Sequence, residues 1–270
     1  MKPSWNLGLC RASLGACCQQ SNRNNLLLRI AINISCFMES NPALAPPYSK
    51  IVAVLTGDLV GSQKAHPGQV EKAMQRIEAT ARDLSDLADA DTRFTRFRGD
   101  GWQMVIGRAG LVLQACLIII ADLRASGIGI ETRISAGVGP FDTLGTANLS
   151  DASGRAFYVS GRHLDLIPKH RRMVIAGGRQ SPQGDDRTGE RDWQASIFDL
   201  AEWQCSSWTQ AQAEAVAMAL RQNLRTHQEM ADRLGITRQA MQSRLAGAGF
   251  SSLETPLAAF GNLVWDDLND

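Results

Sequence analysis

Between Ile51 and Ile106 the chain switches periodicity in an order that few folds accommodate. IVAVL (51–55) is an unbroken apolar run of strand length that leads into an acid, Asp58. Such a run calls for a strand covered by other elements rather than one at a wet edge. From His66 to Ala88 the apolar residues Val70, Ala73, Met74, Ile77, Ala81, Leu84 and Ala88 recur on one helical stripe. RFTRFRGDGWQMVI (93–106) then reads as a hairpin turning at Gly99, Asp100 and Gly101, where acid and glycine meet the backbone demands of a tight turn.

The same alternation continues. Leu111 to Ala125 is a mostly apolar helix stopped by Gly127. Ile130, Thr132, Ile134, Ala136 and Val138 then alternate with Glu131, Arg133 and Ser135 as a strand. The order βαββαβ predicts an α+β fold with a ferredoxin-like palm. A short helix over 151–167 and a fifth strand over 172–176 follow, and Ile197 to Leu200 reads as a return to the sheet. The stretch 177–192, rich in Gly, Arg, Asp and Gln, reads as a loop or linker.

This order brings Asp58, at the end of the first strand, and Asp100, in the hairpin turn, toward one end of a sheet. Mg²⁺ takes hard oxygen ligands in octahedral geometry, often one or two carboxylates plus phosphate oxygens. Gly61 and Ser62, just after Asp58, offer backbone amides that a polyphosphate can approach closely. The plainer reading of either acid alone is a turn residue bonded to nearby backbone.

GDLVGS (57–62) with RGDGWQ (98–103) resembles the metal-binding pair of class III nucleotidyl cyclases, and RISAGVG (133–139) and GRAFYVSGRHLD (154–165) fit that family's later strand and helix. Joined to the tail described below, the pattern is most similar to the bacterial SatD family. The resemblance covers 51–175. It implies metal at Asp58 and Asp100 with help from the Leu59 carbonyl, phosphate at Gly61 and Ser62, and nucleotide contact at Arg96. It further implies that Arg162 would stabilise charge on a transferring phosphate if the chain is an enzyme. The chain departs from the cyclase pattern at Tyr158, where asparagine is expected, and at Arg96, where purine-reading cyclases often carry lysine. These departures weigh against cyclase turnover more than against nucleotide binding.

From Thr209 the composition turns helical. Gln210 to Leu224 carries Ala213, Val216, Ala217 and Leu220 on one face, and Thr226 with Glu229 makes a capping box for a helix over 227–234. Gly235, Ile236 and Thr237 make a turn, and Thr237 caps a second helix to Ala246. This is the pattern of a helix-turn-helix, with Ala231 at the crossing and Ile236, Met241 and Leu245 in the core. Thr237, Arg238, Gln239, Gln242, Ser243 and Arg244 are then candidates for DNA bases and phosphates. Arg225, Arg233, Arg238 and Arg244 add basic charge along this stretch. The rival reading is a small helical bundle used for dimerisation.

The remaining expectations follow from size and charge. At 270 residues the chain has room for a palm over 50–200 and a small all-α domain over 201–270, after an arm and linker over 1–49 that closes in NPALAPPY. Met38 is an alternative start for translation, leaving that arm shorter. A formal charge of +1 gives no global basic field, so nucleic acid would meet a local patch. The six cysteines have no zinc spacing, which points to a reducing compartment and a cytoplasmic protein. No run suits a membrane span. The expected partners are DNA, a nucleotide with Mg²⁺ and a second copy in a homodimer. The leading expectation is a DNA-binding regulator, and the alternative is a metal-dependent nucleotidyl cyclase or related phosphoryl-transfer enzyme.

Overall fold

A computed structural model of the chain describes residues 51–88, 91–97, 99–146, 148–177, 193–221 and 226–265. The expected arm with its linker, Met38, most of the 177–192 loop, Arg225 and the four cysteines before Ile51 lie outside the described residues.

Five strands form one sheet: β1 (Ile51–Val60), β2 (Thr92–Arg96), β3 (Gly101–Ile106), β4 (Glu131–Pro140) and β5 (Met173–Gly177). Their order is β2-β3-β1-β4-β5. The first four pair antiparallel, and β5 runs parallel to β4. Helices α1 (Pro67–Ala88) and α2 (Val112–Ala125) make the crossovers from β1 to β2 and from β3 to β4. This is the split βαβ order of a ferredoxin-like palm.

The predicted stripe of α1 is the buried one: Ala73, Met74, Ile77, Ala81 and Leu84 are all in the core. Helix α2 has no such stripe, because Val112 to Ile119 is buried all round. It lies between the sheet and α5 (Gln210–Leu220), and a helix covered on both sides is apolar on both. One hydrophobic core therefore runs from Leu55 through Leu117 to Val216. The described residues form one compact unit. The other sheet face is covered by α3 (Arg155–Leu166), whose Ala156 and Phe157 pack with Val52, Val54 and Val105.

Two positions fix the end of β1. At Gly57 a Cβ atom would lie 2.4 Å from the Trp102 indole and 2.6 Å from the Arg133 carbonyl oxygen, so only glycine lets the indole cross the strand. The Trp102 indole N–H donates to Thr132 Oγ1 (3.0 Å), and that hydroxyl donates to the Asp58 carbonyl (2.8 Å). Buried polar groups are thus satisfied across three strands at the point where Asp58 stands.

The segment expected to return to the sheet at Ile197 to Leu200 does not. It lies within helix α4 (Trp193–Ser206), which packs against β5. Phe198, Ala201 and Cys205 are buried at helical spacing, while Leu200 and Trp203 face outward, 68% and 76% exposed. The short apolar run was ambiguous between strand and helix, and the longer helical period decides it.

Helices α6 (His227–Leu234), α7 (Arg238–Gly247) and α8 (Ser251–Gly261) complete the chain. The Thr226–Glu229 capping box is present, Gly235 closes α6 in the left-handed conformation, and Thr237 caps α7 by accepting the Ala240 N–H. Ala231, Met241 and Leu245 are buried, and Ile236 packs against them. Among the described residues no helix is long and apolar enough to cross a membrane.

Candidate functional site

The ladder on both sides of β1 places the two acids side by side. Strand β1 runs past Asp58 to Val60, so Asp58 sits inside the sheet rather than at its end, opposite Gly101 on β3 and Arg133 on β4. Asp100 precedes Gly101 in the hairpin turn, and its carbonyl accepts the Leu59 N–H at 3.1 Å. Because strand side chains alternate faces, Asp58 points to the same side as Val52, Val54 and Thr56. That is the face covered by α3.

Each carboxylate already has a protein partner. Arg133 Nε donates to Asp58 Oδ1 at 2.9 Å and its Nη2 donates to Oδ2, a two-pronged grip in which both side chains are about one-quarter exposed. The Asp58 hydrogen bond holds the Arg133 guanidinium above the ordinary arginine range, against partial burial, and the charges of Asp58, Asp100 and Asp165 add to it. Arg133 therefore sees three acids. The Ser62 hydroxyl donates to Asp100 Oδ2. Gly61, with φ of +81°, turns the chain sharply enough to bring Ser62 back to the hairpin. Among the described residues, no group of three or more metal-ligating side chains is gathered.

Helix α3 is fixed over this face by small polar groups. Gln103 Nε2 donates to Thr56 Oγ1 (3.0 Å), and the Thr56 and Ser160 hydroxyls are 2.8 Å apart. Thr56 thereby joins β3 to α3 through the middle of the sheet. Further along α3, Tyr158 and Arg162 are exposed and touch each other: the guanidinium donates to the Tyr158 hydroxyl at 3.3 Å and sits 6.0 Å from the ring centre. Arg96 does not join the acids. It ion-pairs with Glu71 of α1 at 2.6 Å, on the opposite, helix-covered face.

At the other candidate site, Arg238, Gln239, Gln242 and Ser243 are exposed on α7. Thr237 is exposed too, with its oxygen engaged as the cap. Arg244 is half-buried and pairs with Glu214 of α5 at 2.9 Å.

The sequence reading missed Arg133 as a site residue, although it named it as a polar position of the fourth strand. Nothing local marks it out, because its meaning depends on the β1–β4 register. Cys116 and Cys205 are buried, and burial raises both thiols far above the reactive range.

No protein-family model matches the chain, and no curated protein matches it. Solved structures similar to it include the guanylyl cyclase Cya2, at 16% identity over 47% of this chain and 74% of that one, with a TM-score of 0.32. A bacterial light-regulated adenylyl cyclase is similar at 13% identity over 47% of this chain and 75% of that one, with a TM-score of 0.31. A further structure of a bacterial light-regulated adenylyl cyclase is 12% identical over 58% of each chain, with a TM-score of 0.32. Likenesses of this size carry no residue roles across.

Proposed function

We propose that this chain is a DNA-binding regulator of the SatD type, in which the acid-bearing end of the palm takes up a nucleotide with Mg²⁺ and the α6–α7 pair contacts DNA. The observation that carries the reading is the division of α7 into two faces. Met241 and Leu245 are buried, while Arg238, Gln239, Gln242 and Ser243 are exposed together. Guanidinium, amide and hydroxyl groups are the donors and acceptors that base edges and phosphates require.

For the palm, the support is the adjacency of Asp58, Asp100, Gly61 and Ser62. Two carboxylates are a suitable donor set for Mg²⁺, which when bound would neutralise and orient phosphate oxygens. A cation at Asp58 would compete with Arg133 for that carboxylate and weaken its hold on the guanidinium. The Arg133 guanidinium would then be free to face phosphate, a group its planar fork suits. Ser62 would likewise exchange Asp100 for a phosphate oxygen.

A second reading, phosphoryl transfer, is favoured by Arg162 on the helix that covers the Asp58 face. Tyr158 beside it provides a phenol where an amide would be needed, which supports binding over turnover.

The experiment is to incubate the full chain with each nucleoside triphosphate and Mg²⁺, following binding and product together, and then to titrate genomic DNA fragments. Nucleotide binding without turnover, with saturable DNA binding, is expected. Turnover without DNA binding would replace the regulator with the enzyme.

A further inference from the structure

We propose that the cleft between the palm helices and α6 is a binding site for a small dianion, a phosphate ester or a dicarboxylate. The cavity measures about 290 Å³, and its charged lining is Arg76 of α1, Asp122 of α2, Glu214 of α5 with Arg221 just past its end, and Arg233 of α6. Four elements thus contribute to it.

The charges do not cancel. Arg221 is committed to both acids beside it, donating to Asp83 at 2.6 Å and to Asp122 at 3.1 Å through Nη1. Glu214 is neutralised by Arg244 at 2.9 Å. Arg76 and Arg233 remain. Both are exposed, and neither has a hydrogen-bonded side chain or an ion-pair partner among the described residues. Arg221 against two carboxylates leaves that trio one negative charge over, so the two unspent guanidinium forks on separate elements leave the cleft a net excess of one positive charge, a modest local field for an oxyanion.

Size and wall narrow the ligand. Pockets for drug-sized molecules run from roughly 300 to 1,000 Å³, so this one suits a small metabolite. Met218 and Leu234 supply an apolar wall, which favours an anion carrying a short carbon skeleton. Another cavity, of about 590 Å³, has no such unspent arginines in its lining. Its Arg124 donates to the Cys205, Ser206 and Trp208 carbonyls, and its Arg172 pairs with Glu131 at 2.7 Å.

A ligand bridging Arg76 and Arg233 would tie α6 to the palm helices. Through α6 it would bias the orientation of α7. That consequence rests on the proposed DNA contact, whereas the binding itself does not.

The test is a calorimetric titration of the full chain with inorganic phosphate and, separately, with succinate. Chloride at about 150 mM screens exposed charges beyond roughly 8 Å. One saturable site per chain is expected for at least one of the two, and the preferred anion identifies the ligand as phosphate ester or dicarboxylate. Arg76→Gln and Arg233→Gln should each weaken binding at least tenfold with circular dichroism unchanged. Arg82→Gln, on the same helix but paired with Glu78 at 3.2 Å, should not alter it. No saturable binding of either anion, or equal weakening by Arg82→Gln, would overturn the site. Anion binding in a protein that fails to bind DNA would leave the site standing and remove only its regulatory consequence.

Discussion

Arg133 on β4 holds both carboxylate oxygens of Asp58, its cross-strand neighbour on β1. The guanidinium thus occupies the acid that the sequence assigns to a metal ion. A cation site and an ion pair compete for the same two oxygens, so the strength of one sets the weakness of the other.

Arg133→Gln should therefore tighten Mg²⁺ binding several-fold, measured by calorimetric titration. Its effect on stability should be small, about 1 kcal/mol, because the pair is partly solvated. Asp58→Asn added to that variant should abolish the gain. Unchanged Mg²⁺ affinity in Arg133→Gln would mean that Asp58 is a structural acid only.

Gly57→Ala should destabilise the fold by about 3 kcal/mol, at the upper end of what overpacking costs in a well-filled core. The added methyl group meets the Trp102 indole and the Arg133 backbone, and neither is a flexible side-chain end. Chemical denaturation followed by tryptophan fluorescence reads the loss. A midpoint within error of wild type would show that the indole can move off the strand.

How much of this was written in local sequence can be judged from particular residues. The α1 stripe and the Thr226–Glu229 capping box are local patterns, and each is found where its spacing puts it. Asp58 and Asp100 were legible as neighbours because the palm's strand order pairs the first strand with the arm of the hairpin that follows Asp100. Arg133 was not, since 75 residues separate it from Asp58 and only the sheet register joins them. Arg96 was misleading for a related reason. Its position before Asp100 says nothing about which sheet face it takes, and alternation sends it to Glu71. Helix α4 was misread because four apolar-rich residues were taken without the turns that flank them.

Arg221→Met should cost about 3 kcal/mol, because Asp122 is nearly buried and would lose its guanidinium partner. Asp122 would keep only the Thr80 hydroxyl, at 3.4 Å. Replacing the acid as well, in Asp122→Asn with Arg221→Met, should recover at least half of the loss. Urea denaturation of the two variants checks this, and an equally unstable double variant would show that Arg221 acts through its contact with Asp83 instead.

The pairing of Arg244 with Glu214 separates two arginines that sequence alone treats alike. Arg238 is exposed on α7 with no ion-pair partner among the described residues, so a phosphate contact there breaks nothing. Arg244 must first leave Glu214. Arg238→Ala should therefore weaken DNA binding and lower the salt slope by about one counterion. Arg244→Ala should do less. Glu214→Gln should strengthen binding by freeing Arg244, and should lose that gain when combined with Arg244→Ala. Salt titrations of all four variants against the same DNA fragment, with circular dichroism as the folding control, decide it. If Arg238→Ala leaves both affinity and slope unchanged, α7 does not face DNA, and its exposed polar face belongs to contacts between copies of the chain.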